Sequence, residues 1–184
     1  MRDLHNDIDY ILIDEAKINK RIEELAREIE ASYEAAGIEQ ITLLCLLKGG
    51  YIFMSDLSRA LNIAHEIDFM SVSSYGDATQ SSGIVKILLD LQQHIADKHV
   101  LIVEDIIDSG LTLKKVLEIL KTREPASVKL CSLLSKPARH QVEVPIDFLG
   151  FEVPDEFVVG YGLDFAQLYR NLPYIGVLKP ELFS

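Results

Sequence analysis

Apolar residues recur along the chain with helical spacing in some segments. Between residues 14 and 36 an apolar stripe follows the 3.6-residue period, with Asp14 as a candidate N-cap and Gly37 as a candidate stop. The stripe consists of Ile18, Ile22, Leu25, Ala26, Ile29, Tyr33 and Ala36. Residues 51–62 are expected to form a second helix. A third is predicted by a stripe at Leu113, Val116, Leu117 and Leu120.

Other segments are apolar without alternation, which is typical of strands buried on both faces. The clearest are residues 41–47 and 99–103. Further strands are predicted at 11–13, 64–73, 84–89, 128–134, 146–151 and 174–178. Strands that alternate with helices indicate an α/β fold with a mainly parallel central sheet. Because ligands bind such sheets beyond the carboxyl ends of the strands, three segments become candidates for a site: 48–50, 104–112 and 135–139.

Length and charge narrow the classes of function. The chain has 184 residues, which predicts one domain, and its 29 acidic against 18 basic side chains give a net charge of -11. Nucleic acids and anionic membranes are therefore unfavourable partners. Cys45 and Cys131 lie in apolar runs, which is typical of buried thiols in a reducing compartment. With no leader or membrane-spanning run in the sequence, we expect a cytoplasmic protein.

The most informative segment is VLIVEDIIDSGLT, residues 100–112. A buried strand runs into Glu104 and Asp105, and a third carboxylate, Asp108, precedes Ser-Gly-x-Thr at the start of a helix. Backbone N–H groups at a helix start, two hydroxyls and a glycine can cradle one phosphate. The two carboxylates can accept hydrogen bonds from a sugar diol or hold Mg²⁺. The alternative is that Asp108 or Ser109 only caps the helix.

This segment resembles the phosphoribosyl-pyrophosphate (PRPP) motif of the type I phosphoribosyltransferases, and more narrowly of their hypoxanthine-guanine branch. Four further segments match that family in order: LLKGGYIF (46–53), SSYGDATQSSG (73–83), SLLSKP (132–137) and FVVGYGLDFAQLYRNLPYIGVL (157–178). The resemblance implies the family's fold, a sheet flanked by helices with a small hood over the active site. The core would cover about 38–140, and the hood the N-terminal segment and about 141–184.

The resemblance also implies roles for individual residues. The PRPP and 5′-phosphate site would comprise Glu104, Asp105, Ile106, Ile107, Asp108, Ser109, Gly110, Leu111 and Thr112. Asp108 would be the general base or acid at purine N7. Lys48, Gly49 and Arg170 would bind pyrophosphate, on a loop that can contain a cis peptide after Leu47. Mg²⁺ would be held by Glu104, Asp105 and, at a second site, Asp164.

The remaining implied roles concern the base and a mobile loop. The purine site would comprise Lys136, Phe157, Val158 and Asp164. Lys136 would donate to the 6-oxo group and Phe157 would stack on the ring, while the backbone at Val158 reads its edge. Ser74 and Tyr75 would belong to a mobile loop, 74–83, that closes over the transition state. Without the family context, Lys136 could be an ordinary strand-end lysine, and Phe157 and Val158 could be core residues.

The predicted activity is purine salvage: transfer of the phosphoribosyl group from PRPP to N9 of hypoxanthine, and of guanine, with release of pyrophosphate. Two alternatives stay open, a regulator of the same fold that senses PRPP and a transferase that prefers xanthine. Apolar side chains around Tyr51 and Phe53, expected in exposed loops, favour a homodimer or homotetramer.

Overall fold

The structure is a computed structural model that describes residues 3–75 and 84–183. Its α-helices in these ranges are α1 (Glu15–Glu34), α2 (Tyr51–Ala60) and α3 (Leu111–Lys121). Its strands are β1 (Ile8–Ile13), β2 (Gln40–Leu47), β3 (Ala64–Tyr75), β4 (Ile84–Leu89), β5 (His99–Ile107), β6 (Ser127–Ser135), β7 (Phe148–Glu152), β8 (Val158–Val159) and β9 (Ile175–Leu178). Short 3-10 helices cover Leu4–Asp7, Pro137–Arg139 and Pro180–Leu182.

The strands form two sheets. The larger has the order β4-β3-β2-β5-β6-β7, in which β4 pairs antiparallel with β3 and every other pair is parallel. This confirms the predicted mainly parallel sheet. The smaller sheet has the antiparallel order β1-β9-β8 and joins the two ends of the chain. The segment from residue 141 onward therefore does not belong wholly to a hood, because β7 lies in the large sheet.

The apolar strands of the large sheet are buried on both faces, as their sequence predicts. Along β2, Leu43 and Cys45 pack in the cluster that includes α1 and α2, whereas Leu44 and Leu46 pack in the cluster that includes α3. Neighbouring side chains of a strand point to opposite faces. A strand covered by helices on both sides therefore needs apolar residues at every position.

The ends of α1 follow the predicted local chemistry. Asp14 is the N-cap, and its Oδ1 accepts a hydrogen bond of 2.8 Å from the backbone N–H of Lys17. The helix ends at Glu34, two residues before the predicted end, and Gly37 follows with φ +68°. Glycine adopts this left-handed conformation without steric cost, which lets the chain turn into β2.

Two expectations about exposed segments were wrong. Ser74 and Tyr75 are not loop residues, because β3 continues through them and pairs with Val85 and Ile84 of β4. The rest of the predicted mobile loop, 76–83, lies outside the described residues. Phe53 is fully buried in α2, whereas Tyr51 is 43% exposed. The helical phase places these two side chains on different faces, so Phe53 cannot contribute to a contact between subunits.

Both cysteines are buried and unpaired, as expected. Burial raises the pKa of Cys45 to about 12, so its thiol stays protonated near neutral pH. Within the described ranges, the structure contains no helix with the length and apolar character needed to cross a membrane.

Candidate active site

The candidate site lies where β2, β5 and β6 end at the same edge of the large sheet. The loop after β2 touches β5 closely: a Cβ built on Gly49 would lie 1.6 Å from Oδ2 of Asp105. The residue after β6, Lys136, donates its backbone N–H to the carbonyl of Ile107 over 2.9 Å. All three segments selected by the sheet rule thus meet in one place.

Glu104 and Asp105 lie within β5 itself, since that strand continues to Ile107 rather than ending before them. Oε2 of Glu104 is buried and has no hydrogen-bond partner among the described residues. Burial raises the pKa of Glu104 well above its usual range, and the neighbouring Asp105 raises it further. Burial also raises the pKa of Asp105, although the side chain of Glu104 and backbone N–H groups oppose this. Two adjacent, partly buried acids are stabilised when they share a proton or bind a cation.

The donor set at this pair fits a magnesium ion. Carboxylate oxygens are the ligands that Mg²⁺ prefers, and it commonly binds through one or two carboxylates while water and substrate phosphate supply the rest. Among the residues that the structure describes, no cluster of three or more possible metal ligands occurs. Asp164 does not join the pair, since its Oδ1 forms an ion pair of 2.7 Å with Arg170.

The loop after β5 encloses a cavity of about 230 Å³. Its lining includes Glu104, Ile106, Ile107, Asp108, Ser109, Gly110 and Thr112. Gly110 stands at the cap position of α3 with φ +79°, and glycine has no side chain with which to cap a helix. Oγ of Ser109 accepts only the N–H of Leu111, over a long 3.4 Å. Capping therefore accounts for one N–H group at most, and the helix start retains the geometry of an anion cradle.

Asp108 has a partner that the sequence did not reveal, Arg139. Nε of Arg139 lies 3.1 Å from Oδ1 of Asp108, and its Nη1 lies 3.2 Å from Oδ1 of Asp155. Both side chains of the first pair are about half exposed, at 51% and 50%, so the pair adds little to stability. Its position matters more, because Arg139 connects the loop of Asp108 to the segment that precedes Phe157.

Lys136 is buried, with only 7% of its surface exposed, which excludes the ordinary strand-end lysine. Its Nζ donates a hydrogen bond of 2.6 Å to the carbonyl of Glu156. Burial lowers the pKa of Lys136, and the charge of Asp108 partly opposes that shift. An ammonium has three donors, so Lys136 keeps N–H groups for an acceptor on a ligand.

Phe157 is a surface residue of the site and not part of the core, since 37% of it is exposed. Phe183 stacks on its ring at a centroid distance of 4.7 Å, and Phe165 meets it edge-on at 5.5 Å. Neither neighbour was predicted. Val158, in contrast, is buried in β8 and pairs with Val177 of β9.

Lys48 and Arg170 come together from distant parts of the sequence. Lys48 follows β2 through a cis peptide bond with Leu47, which agrees with the expected property of this loop. Its Nζ donates to the side-chain oxygen of Gln167, which also accepts from Arg170. Gln167 was not predicted either. No local pattern marks it, because its two partners lie on different elements.

Comparison with known proteins places these features in a family. The family model described as "Phosphoribosyl transferase domain" matches residues 12–166. The hypoxanthine phosphoribosyltransferase of Escherichia coli K12 is 55% identical over 166 residues, which cover 90% of this chain and 93% of that protein.

Solved structures agree in fold and length. A crystal structure of a hypoxanthine phosphoribosyltransferase from Staphylococcus aureus has a TM-score of 0.93 and 44% identity, covering 98% of this chain and 97% of its own. A hypoxanthine-guanine phosphoribosyltransferase from Bacillus anthracis has a TM-score of 0.88 and 43% identity, covering 94% and 99%.

Proposed function

The chain belongs to the phosphoribosyltransferase family, and on that premise we propose that it is a purine-salvage enzyme. It transfers the 5-phosphoribosyl group of PRPP to N9 of hypoxanthine, and of guanine, with release of pyrophosphate. The observation that carries this proposal is the junction of β5 and α3. There a partly buried carboxyl pair is followed by a cavity at a helix start where capping accounts for one N–H group at most, and Lys136 and Phe157 lie on neighbouring segments.

The reaction breaks the bond between C1 of the ribose and a pyrophosphate oxygen and forms a bond from C1 to purine N9. The helix start would bind the 5′-phosphate, and Lys48 and Arg170 would bind the pyrophosphate group. Asp108 would hold or accept the proton at purine N7, which makes N9 a better nucleophile. Nε of Arg139 lies 3.1 Å from Oδ1 of Asp108 and would help to hold that carboxyl group in place.

Lys136 would select the base. It can only donate hydrogen bonds, so it suits a 6-oxo group and leaves a buried donor unpaired opposite a 6-amino group. Phe157 would stack on the purine ring, and the stacked ring of Phe183 would help to fix the position of Phe157.

We further propose that Glu104 and Asp105 hold Mg²⁺. The orphaned, buried Oε2 of Glu104 supports this, because a buried carboxylate needs a cation or a donor. When bound, the ion would neutralise charge on the leaving pyrophosphate. A second ion at Asp164 rests on the family resemblance alone, since Arg170 already pairs with that carboxylate.

Steady-state assays with PRPP and one purine at a time test the function. We expect turnover of hypoxanthine and guanine, little with adenine, and none in excess EDTA. Preference for xanthine would favour the alternative transferase. Absence of turnover with every purine would reject the enzyme, and PRPP binding without turnover would favour the regulator.

Asp108→Asn tests the proton transfer. An amide keeps the shape of the carboxyl group but cannot take a proton, so we expect kcat to fall by about 10²–10⁴-fold, with a small change in KM for PRPP. Asp9→Asn, on β1, removes the same charge from an exposed position and is the matched control. Near-normal kcat in Asp108→Asn would show that this residue is not the base.

We propose that the chain forms a homo-oligomer. Tyr51 at the start of α2 and Ile67 and Phe69 on β3 are 43%, 44% and 38% exposed, and a contact between subunits would bury such side chains. Size-exclusion chromatography with light scattering would test this, and a single species of monomer mass would contradict it.

A further inference from the structure

The amide oxygen of Gln167 accepts hydrogen bonds from two cations. Nζ of Lys48 lies 3.2 Å from Oε1 of Gln167, and Nη2 of Arg170 lies 3.4 Å from the same atom. Lys48 comes from the loop after β2, whereas Gln167 and Arg170 lie between β8 and β9. One neutral oxygen therefore joins the two positive groups that would bind pyrophosphate.

The segment around Gln167 is held in a conformation that few residues adopt. Ala166, Gln167 and Tyr169 have φ of 50°, 69° and 74°. Non-glycine residues in this left-handed region carry strain and persist where the surroundings enforce it, often at functional sites. Here Asp164 provides part of that enforcement. Its Oδ2 accepts the N–H of Gln167 over 2.8 Å, while its Oδ1 pairs with Arg170.

The charge of the acceptor decides how firmly the cations are held. Lys48 and Arg170 carry like charges, and Oε1 of Gln167 is the acceptor that they share. Arg170 is also held by Oδ1 of Asp164 and by the carbonyl of Gly162, so the part of Gln167 is to hold Lys48 near an already anchored Arg170. A neutral amide oxygen serves as that acceptor weakly. A carboxylate at this position would add an ionic attraction to each cation, because both hydrogen bonds would then join two charged groups. An incoming pyrophosphate oxygen is itself anionic and would displace the amide but compete poorly with a carboxylate.

We propose that Gln167 is a positioning residue that keeps Lys48 and Arg170 together in the free enzyme through a neutral oxygen, which the pyrophosphate group replaces on binding. This inference rests on the proposed function, and it adds that the neutrality of residue 167 sets the affinity for PRPP and for pyrophosphate. A purely structural side chain would depend on its shape and not on its charge.

Two substitutions separate these explanations. Gln167→Glu keeps the shape and an acceptor but adds a negative charge, whereas Gln167→Leu removes the acceptor without charge. We expect KM for PRPP to rise about tenfold in Gln167→Glu and about two- to threefold in Gln167→Leu, with KM for hypoxanthine nearly unchanged in both. A structural role predicts the opposite order, because glutamate resembles glutamine more closely than leucine does.

Gln40→Glu is the matched control, since it adds the same charge at the exposed start of β2, the end of that strand opposite Lys48. Calorimetric titration with inorganic pyrophosphate and Mg²⁺ gives a readout that does not need turnover, and the same order of affinities is expected. Thermal melting establishes that each variant is folded. The proposal is overturned if Gln167→Glu binds pyrophosphate like the wild type, if Gln167→Leu is the weaker binder, or if both KM values rise together. Loss of turnover in the wild type would reject the proposed function instead, while the pyrophosphate titration would still decide the role of Gln167.

Discussion

Gly49→Ala is the sharpest test of how the site is packed. A Cβ at this position would lie 1.6 Å from Oδ2 and 2.5 Å from Cγ of Asp105, whereas real Cβ atoms keep about 3.0 Å from other heavy atoms. The loop cannot move away easily, because Gly162 covers its other side. A Cβ on Gly162 would lie 2.1 Å from the carbonyl oxygen of Gly49. The clash must therefore be relieved by Asp105.

The size of the effect follows from that displacement. To reach even the shortest distance that real Cβ atoms show, Oδ2 of Asp105 must move by about 1.4 Å, and a misplacement of about 1 Å near the reacting groups can cost about 100-fold in rate. We therefore expect kcat/KM to fall by about 100-fold, which corresponds to about 2.7 kcal/mol. Overpacking of this kind costs about 1–3 kcal/mol of stability, so the variant should still fold.

The assay is the conversion of hypoxanthine with PRPP and Mg²⁺, together with thermal melting. Gly37→Ala is the matched control because Gly37 has φ +68° and a Cβ there would meet nothing within 4 Å. It should lower stability by about 1 kcal/mol through backbone strain and leave kcat/KM unchanged. If Gly49→Ala kept kcat/KM within about threefold of the wild type, Asp105 would not need its observed position, and the packing argument would fail.

Two further substitutions test single groups of the site. Lys136→Met keeps the length of the buried side chain but removes its donors. We therefore expect KM for hypoxanthine to rise by about tenfold and the preference for hypoxanthine over adenine to shrink. Competition assays with both bases measure this preference, and an unchanged preference would contradict the role assigned to Lys136. Glu104→Gln removes an acid whose pKa is raised in the folded protein. Such a group lowers the free energy of unfolding once the pH rises above the pKa that the group has in the unfolded chain. In EDTA, the melting temperature of this variant should therefore be higher than that of the wild type at neutral pH, and the difference should vanish in acid. Its Mg²⁺-dependent activity should fall. A lower melting temperature than the wild type at neutral pH would contradict an unfavourable charge at Glu104.

The elements that the sequence predicts well are those whose residues are determined by burial on one or two faces. The apolar runs of β2 and β5 and the apolar stripe of α1 each fit only one position along the chain. The predicted bounds of these elements therefore agree with the observed ones within a few residues. β8 was not predicted because a strand of two residues is too short to show a periodic pattern. Ser74 and Tyr75 were misplaced for a related reason, since pairing with β4 extends β3 into polar sequence.

Residues brought in by tertiary contacts could not be predicted in the same way. Arg139 and Phe183 lie outside the segments that match the family, and Gln167 lies inside one of them without an implied role. Each acquires its place through a partner on another segment. The resemblance to the family located the groups that would touch substrate, because those occur in short contiguous patterns. It assigned no role to the residues that hold them in position, because those depend on contacts between segments that are distant in the sequence.

The strong negative charge of the chain is compatible with an anionic substrate because each anionic group of the substrate would bind at a different part of the site. The 5′-phosphate would meet the uncapped start of α3, where backbone N–H groups supply positive character without a charged side chain. The pyrophosphate would meet Lys48 and Arg170, whose present acceptor at Gln167 is neutral and displaceable. Between them, the buried pair Glu104–Asp105 has unfavourable electrostatics until a cation or hydroxyl donors arrive. A nucleic acid carries a continuous row of phosphates, which does not match three separate binding positions of different chemistry. A small phosphorylated sugar that binds together with its metal ion would occupy all three.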